Sequence, residues 1–400
     1  MVGKMRSALI AFVVLFVSLL IGLAFDHFGH GQMLATATDR SGDFVKVVLA
    51  LPGPAAAHDP FGFDPIVHKF TGSTDFSGYG GVAFLPPLST LVSILTRLSF
   101  GWVSPIIVYF VLWAATLAAL LFALLHYGGN ALWALAVAVS YPLVFMIDRG
   151  NLYAAWAALP VIVAMLRRKP DLMAVVLIAV AINIRPNIAT CAVPLILFDW
   201  RFLFKLAFGA ATIFILSLGL AHLLDPAYDL AAFTDSLARY SAIMIQRGQG
   251  VAFGSSLYGG LFVIGAGRLL PFVSIPVAAL FAVGIIVRRR GAIDDGQFAF
   301  ICCATSALLT PVFGDYHLLI FVAPLLMARD RATFASSLLM LAPKSVAMVG
   351  GYSVQVLLNP VIMLVTLAII LGRTLLPISP AVNRKTPTRK TPTPVRSSPT

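Results

Sequence analysis

The sequence predicts an all-α integral membrane fold, a polytopic helical bundle of about 10–13 transmembrane helices with a large first outer loop. Three observations predict it. Of the 400 residues, 60% are hydrophobic and only 11% are charged, where a soluble domain carries roughly 25% charged residues. The apolar residues form continuous runs instead of alternating, which selects helices over a closed barrel. The polar residues gather between the runs, as the bilayer requires.

The first run, 8–25, follows Lys4 and Arg6. Ala35-Thr36-Ala37 resembles a signal-peptidase site, but it lies far beyond the run, and the run is long enough to span. An uncleaved first helix is therefore expected. Further apolar segments fall at 102–124, 131–147, 151–166, 171–184, 188–199, 206–223, 270–287, 297–313, 317–328, 333–349 and 356–373. Several are shorter than the roughly 17 residues a span needs, which points to broken or re-entrant elements facing a cavity. Residues 1–377 form one transmembrane domain, with its first outer loop over 26–83. Residues 378–400 repeat Arg-Lys-Thr-Pro-Thr and read as a disordered basic cytoplasmic tail.

Orientation follows from the cations. The net charge is +12, and the Lys and Arg clusters abut apolar runs. With Lys4 and Arg6 inside, alternation through the segments puts Arg167–Lys169, Arg201 and Lys205, Arg288–Arg290, Arg329 and Arg331, and the tail all inside. Both termini are then cytoplasmic, and 84–100 and 255–268 do not fully cross. The positive charge is a topology signal and an attraction to membrane lipid, so no nucleic acid partner is expected. The three cysteines, Cys191, Cys302 and Cys303, lie inside apolar runs, so neither a disulfide nor a metal site is expected from them.

The outer loops hold the chemically informative residues. All 16 acids are Asp. The first loop holds six of them, Asp26, Asp39, Asp43, Asp59, Asp64 and Asp75, and four of the seven histidines. Aromatic residues and prolines among them suggest a membrane-hugging segment with short interfacial helices. The spacing of His58-Asp59, Asp64 and His68 allows a metal, but no compact ligand motif is present, and no metal or cofactor is expected. Asp43, in Ser41-Gly42-Asp43-Phe44, is either the N-cap of a short interfacial helix or a carboxylate whose partial desolvation suits it to act as a general base.

Polar knots interrupt the apolar runs on the same side. They are Asp148-Arg149-Gly150-Asn151, Arg185-Pro186-Asn187, and Gly314-Asp315-Tyr316-His317 after Thr310-Pro311. The loop 224–250 adds Arg239, Arg247 and Gln249 ahead of Ser255-Ser256-Leu257-Tyr258-Gly259. An ionisable residue at such a depth is a functional candidate as well as an interfacial anchor.

Taken in order, these landmarks resemble the membrane glycosyltransferases of the GT-C class, and among them glycosyltransferase family 87, the polyprenol-phosphate-mannose-dependent mannosyltransferases. Gly42-Asp43-Phe44, Asp59-Pro60-Phe61, Phe84 to Leu88, Arg149-Gly150-Asn151, Arg185-Pro186, Ser255 to Gly259, and Thr310-Pro311 with His317 follow the order of that family's motifs. The chain departs from the pattern at Val47, Val48 and Leu85, where the family carries tyrosines.

The resemblance implies inverting transfer of a sugar, mannose in that family, from a polyprenyl-phosphate donor to a glycolipid or cell-envelope glycan on the outer face of a bacterial inner membrane. It implies Asp43 as general base, with Arg185 and His317 on the leaving phosphate. Asp59, Arg149, Asn151, Arg247, Ser256 and Asp315 would bind substrate. The main alternative is a polytopic transporter or lipid-linked sugar flippase, which would share the broken helices. The absence of an evident internal repeat, and charges placed at helix ends, favour the enzyme. A polymerase or ligase with a diphosphate-linked donor is a second rival, although its large outer loop generally comes late in the chain.

Overall fold

The computed structural model describes residues 2–27, 86–99, 102–103, 105–128, 130–197, 199–246, 251, 254–344, 348–349 and 352–375. Asp43, Asp59 and Arg247, the loop motifs around them, and the tail lie outside the described residues.

Apart from turns and one isolated bridge, the described chain is helical with one hairpin of two two-residue strands, β1 (Met348–Val349) with β2 (Tyr352–Ser353). The first helices are α1 (Val2–His27), α2 (Pro87–Ser99), α3 (Pro105–Gly128), α4 (Ala131–Ala138), α5 (Tyr141–Arg149), α6 (Leu152–Arg167) and α7 (Leu172–Ile184). After a turn of helix at Pro186–Ala189 and a 3-10 turn at Val193–Leu195 come α8 (Trp200–Leu224), α9 (Leu230–Tyr240), α10 (Leu257–Val263), α11 (Leu270–Arg289) and α12 (Asp295–Leu309). A 3-10 segment, Asp315–Phe321, runs into α13 (Val322–Met327), and α14 (Arg331–Leu341) and α15 (Gln355–Leu375) complete the order.

Among the described residues, five helices are long and apolar enough to cross a membrane, four within α1, α3, α8 and α15 and one, Gly267–Arg289, that ends with α11. A sixth candidate is the pair α4 and α5, bent by 54°. Five shorter apolar helices accompany them. The apolar segments of the sequence thus divide into two kinds.

The division follows burial. Helix α6 buries 11 of its 16 residues and α12 buries 11 of 15. Five of the buried residues of α6 are alanine, which lets neighbouring backbones approach closely. Helix α8, with 25 residues, buries only Leu206, Ser217 and Ala221. It exposes Phe204, Phe208 and Leu223 at 68%, 68% and 77%. Such a row of exposed apolar side chains suits a helix that faces lipid. The short, protein-enclosed helices form the centre and the long apolar ones surround it. Helix α6 packs on α7, α7 on α8, α8 on α2, and α12 on α11, α13 and α15.

Two expected helices change form. Segment 131–147 is interrupted at Val139 and Ser140, because Pro142 stands in the first turn of α5 and cannot continue a preceding helix. Segment 188–199 is no regular helix. Pro186 and Pro194 each remove a backbone donor, and the chain follows irregular turns there. Residues 84–100 and 255–268, expected not to cross fully, contain the short helices α2 and α10.

The ends of α6, α7 and α12 sort the polar residues into two sets. One end carries the polar knots, at Arg149–Asn151, Arg185–Asn187 and Thr310–His317. The other carries Arg167–Asp171 and Arg288–Asp295, joined by Arg168 to Asp295 at 3.7 Å and by a direct Arg288–Asp295 pair. The Ala174 backbone N–H, and then Arg167, hold the Asp171 carboxyl below its usual range. Helix α6 separates the two ends by about 24 Å at 1.5 Å per residue.

Candidate functional site

The polar end is built where helices stop. Helix α7 ends at Arg185, whose extended backbone (φ −148°, ψ 91°) is the conformation that a following proline imposes. Helix α5 ends at Gly150, whose φ of 69° is a left-handed cap that glycine adopts without strain. Helix α12 ends at Thr310, and Pro311 prevents its continuation. These stops bring side chains from distant parts of the sequence to one place.

Arg185, Asn187 and His317 form one group. Asn187 Nδ2 donates to the Val312 carbonyl at 3.1 Å and lies 3.5 Å from His317 Nδ1. The Arg185 charge acts on the side chains of Tyr153, Tyr240 and His317. His317 is buried, with the rings of Phe313 and Tyr316 edge-on at 5.0 and 4.4 Å. Among the described residues, neither His317 Nε2 nor Arg185 Nε has a hydrogen-bond partner, though both atoms are buried. A guanidinium nitrogen and an imidazole nitrogen, both buried and without partners among the described residues, are suited to an anionic oxygen group. At the same end, the Tyr153 hydroxyl is 2.6 Å from Ser93 Oγ, and Ser89 donates to the Ile184 carbonyl at 3.0 Å.

Asp315 heads a second group. Ser255 Oγ donates to its Oδ1 at 2.5 Å, and Gln355 Nε2 donates to its Oδ2. Asn359 Nδ2 donates to Ser255 Oγ at 2.7 Å, and Gln355 Nε2 reaches the Tyr141 hydroxyl at 3.3 Å. The Ser255 backbone N–H donates to the Phe313 carbonyl at 2.7 Å, beside the bridge of Gly254 to Gly314. This network ties the start of α15, the start of α5 and the segment before α10 to the Asp315–His317 turn, and so fixes where His317 points.

Two expected site residues serve as helix caps. Asn151 Oδ1 accepts from the Ala154 N–H at 3.1 Å at the start of α6. Ser256 Oγ accepts from the Gly259 N–H at 3.2 Å at the start of α10 and lies 3.4 Å from the Pro311 carbonyl. Each satisfies a helix N-terminus, which an apolar surrounding makes necessary. Arg149 is half-buried at the end of α5, and its charge acts on Tyr316. The structure therefore brings Arg185, His317 and Asp315 to one turn and its neighbours. Asp43, Asp59 and Arg247 lie outside the described residues.

Sequence reading missed Gln355, Asn359 and Tyr141, and took Ser256 in place of its neighbour Ser255. Gln355 and Asn359 left a signal, being polar residues one helical turn apart in an apolar run. Among the described residues, no three His, Cys or acidic side chains come together as a metal-binding group would.

Two predictions test this construction. Asp315→Ala leaves Ser255 without its acceptor and takes one of the two acceptors of Gln355, at about 1–3 kcal/mol for a buried group left unsatisfied. Its expected result is a melting temperature in detergent several degrees lower, while Asp315→Asn keeps one acceptor oxygen and loses less. A β-carbon on Gly259 would stand 2.3 Å from the Gly254 carbonyl oxygen and 2.6 Å from that of Val251. Backbone cannot yield as a side chain does, so Gly259→Ala is expected to cost about 1–3 kcal/mol. Thermal unfolding monitored by scanning fluorimetry reads both.

Comparison with protein-family models, with curated proteins and with solved structures finds no match to the chain.

Proposed function

We propose that this chain is an inverting glycosyltransferase of the GT-C type that moves a sugar, mannose as the first candidate, from a polyprenyl-phosphate donor to a lipid or cell-envelope glycan acceptor. The observation that carries the reading is the meeting of Arg185 and His317 at one helix-terminal site, with buried nitrogens that no described group engages. A phosphate leaving group needs such donors, and in a water-poor site they act strongly.

In the proposed reaction the Asp43 carboxylate takes the proton of the acceptor hydroxyl. The acceptor oxygen forms a bond to the anomeric carbon from the face opposite the donor oxygen. The bond from that carbon to the phosphate oxygen breaks, and its electron pair leaves with the polyprenyl phosphate. Arg185 and His317 hold the charge that develops there. Asp315 orients the turn that carries His317. A prenyl tail explains why the site lies in the membrane, since it needs a groove between helices open to lipid. The polar end is then the outer face of a bacterial inner membrane, and the basic end, with both termini, faces the cytoplasm.

The 54° break between α4 and α5 is a feature that transporters share, so a flippase is the second reading. Purified protein, given labelled polyprenyl-phosphate mannose and a membrane lipid extract, separates the two. Label in a new glycolipid is the expected result. Label retained in the donor, with mannose and with every other prenyl-phosphate sugar, overturns the enzyme reading.

A further inference from the structure

The opposite end of the bundle carries a second site. We infer that the junction of the α6–α7, α11–α12 and α13–α14 loops is a binding site for the headgroup of an anionic phospholipid.

These loops are distant in sequence and adjacent in space. Arg168 and Arg288 both reach Asp295, which ties the first loop to the second. A β-carbon on Gly296 would stand 2.7 Å from the Met327 carbonyl oxygen and 3.0 Å from Ala328 Cα, so the third loop is packed against the start of α12. Six exposed cations are thereby gathered at one place: Arg168, Lys169, Arg289, Arg290, Arg329 and Arg331.

Each acid among them already has partners, and Asp295 pairs with one of the six, Arg168. Asp171 accepts from the Ala174 N–H at 2.8 Å and pairs with Arg167. Asp294 caps α12 through the Gln297 N–H at 2.9 Å, and Asp330 caps α14 through the Thr333 N–H at 3.0 Å. Asp295 serves its two arginines. The patch therefore holds a surplus of positive charge, fixed by helix ends and not carried on a free tail.

Its border identifies the ligand as a lipid. Leu172 and Met173, three and four residues after Lys169, are 60% and 52% exposed, and Ile286, one turn before Arg290, is 49% exposed. Cations at a helix-loop junction with exposed apolar side chains beneath them match a phosphate headgroup above its acyl chains. A soluble anion would have no use for the apolar border. The site stands independently of the proposed transfer reaction, because it lies a helix length from Arg185.

The test uses the full-length protein in detergent, with lipids retained on it counted by native mass spectrometry. The probes are phosphatidylglycerol, cardiolipin, phosphatidylcholine and inorganic phosphate. Anionic lipid is expected to be retained over phosphatidylcholine. A variant carrying Lys169→Gln, Arg289→Gln and Arg290→Gln is expected to lose that retention by about tenfold or more, since each cation near an anionic surface contributes roughly fivefold. Arg268→Gln, at the opposite end of α11, is expected to leave it unchanged. Equal retention of both lipid classes, or undiminished retention by the triple variant, overturns the site. So does stabilisation by inorganic phosphate equal to that by lipid. Transfer activity plays no part in the readout, so this result and that of the transfer assay are separable.

Discussion

Asp43→Asn is expected to lower the rate of sugar transfer by about 10²–10⁴-fold, the range general-base catalysis supplies, while melting temperature and elution from a sizing column stay as in the parent protein. The substitution keeps the shape of the side chain and removes its ability to take a proton. The acceptor hydroxyl is a weak nucleophile until that proton is transferred, so the loss falls on kcat. A plain helix N-cap at the same position predicts a different result, because Asn caps a helix about as well as Asp. Undiminished transfer by Asp43→Asn would assign Asp43 to capping and move the base to Asp59, Asp64 or Asp75.

Arg185→Ala is expected to cost about 10²–10³-fold in kcat, comparable to the loss of one donor at a site of developing charge. The effect on KM is expected to be smaller. The donor phosphate carries less charge in the ground state than when it departs, so Arg185 acts mainly on the transition state. Arg185→Lys keeps the charge and loses the planar fork, and is expected to recover part of the rate. A purely structural Arg185 would instead lower the melting temperature equally in both variants, with no difference in kcat between them.

Most of the helices were legible in the sequence because apolar runs and helix-breaking residues are local signals. Helices α6, α7 and α11 lie within a few residues of the expected segments. The run 188–199 misled because hydropathy weighs Leu, Ile and Val without weighing Pro194, which divides it, and Pro186, which stands just before it. Hydropathy also cannot tell a helix buried in protein from one facing lipid. Helices α6 and α8 are both apolar, yet one is enclosed by neighbours and the other exposes phenylalanines along its length.

At the candidate site, Arg185 and His317 were legible as polar residues stranded between apolar runs. Their meeting was not, since it depends on how α5, α7 and the Asp315 turn stack. The bonds of Asp315 to Ser255 and Gln355 are likewise tertiary. Local sequence shows that a buried acid needs partners, not which residues provide them. Asn151 and Ser256 show the converse. Their positions before apolar helices suited a substrate contact and a helix cap equally, and the structure displays the cap.

In the proposed reaction a lipid-linked phosphate sits against Arg185 and His317. The most direct test is photo-crosslinking of the purified protein with a polyprenyl-phosphate analogue carrying a diazirine near its phosphate, followed by peptide mapping. Adducts are expected on the segments around Arg185–Asn187 and Phe313–His317, suppressed by unlabelled polyprenyl-phosphate sugar and lost in Arg185→Ala. Adducts confined to other segments, or unaffected by the competitor, would contradict that placement.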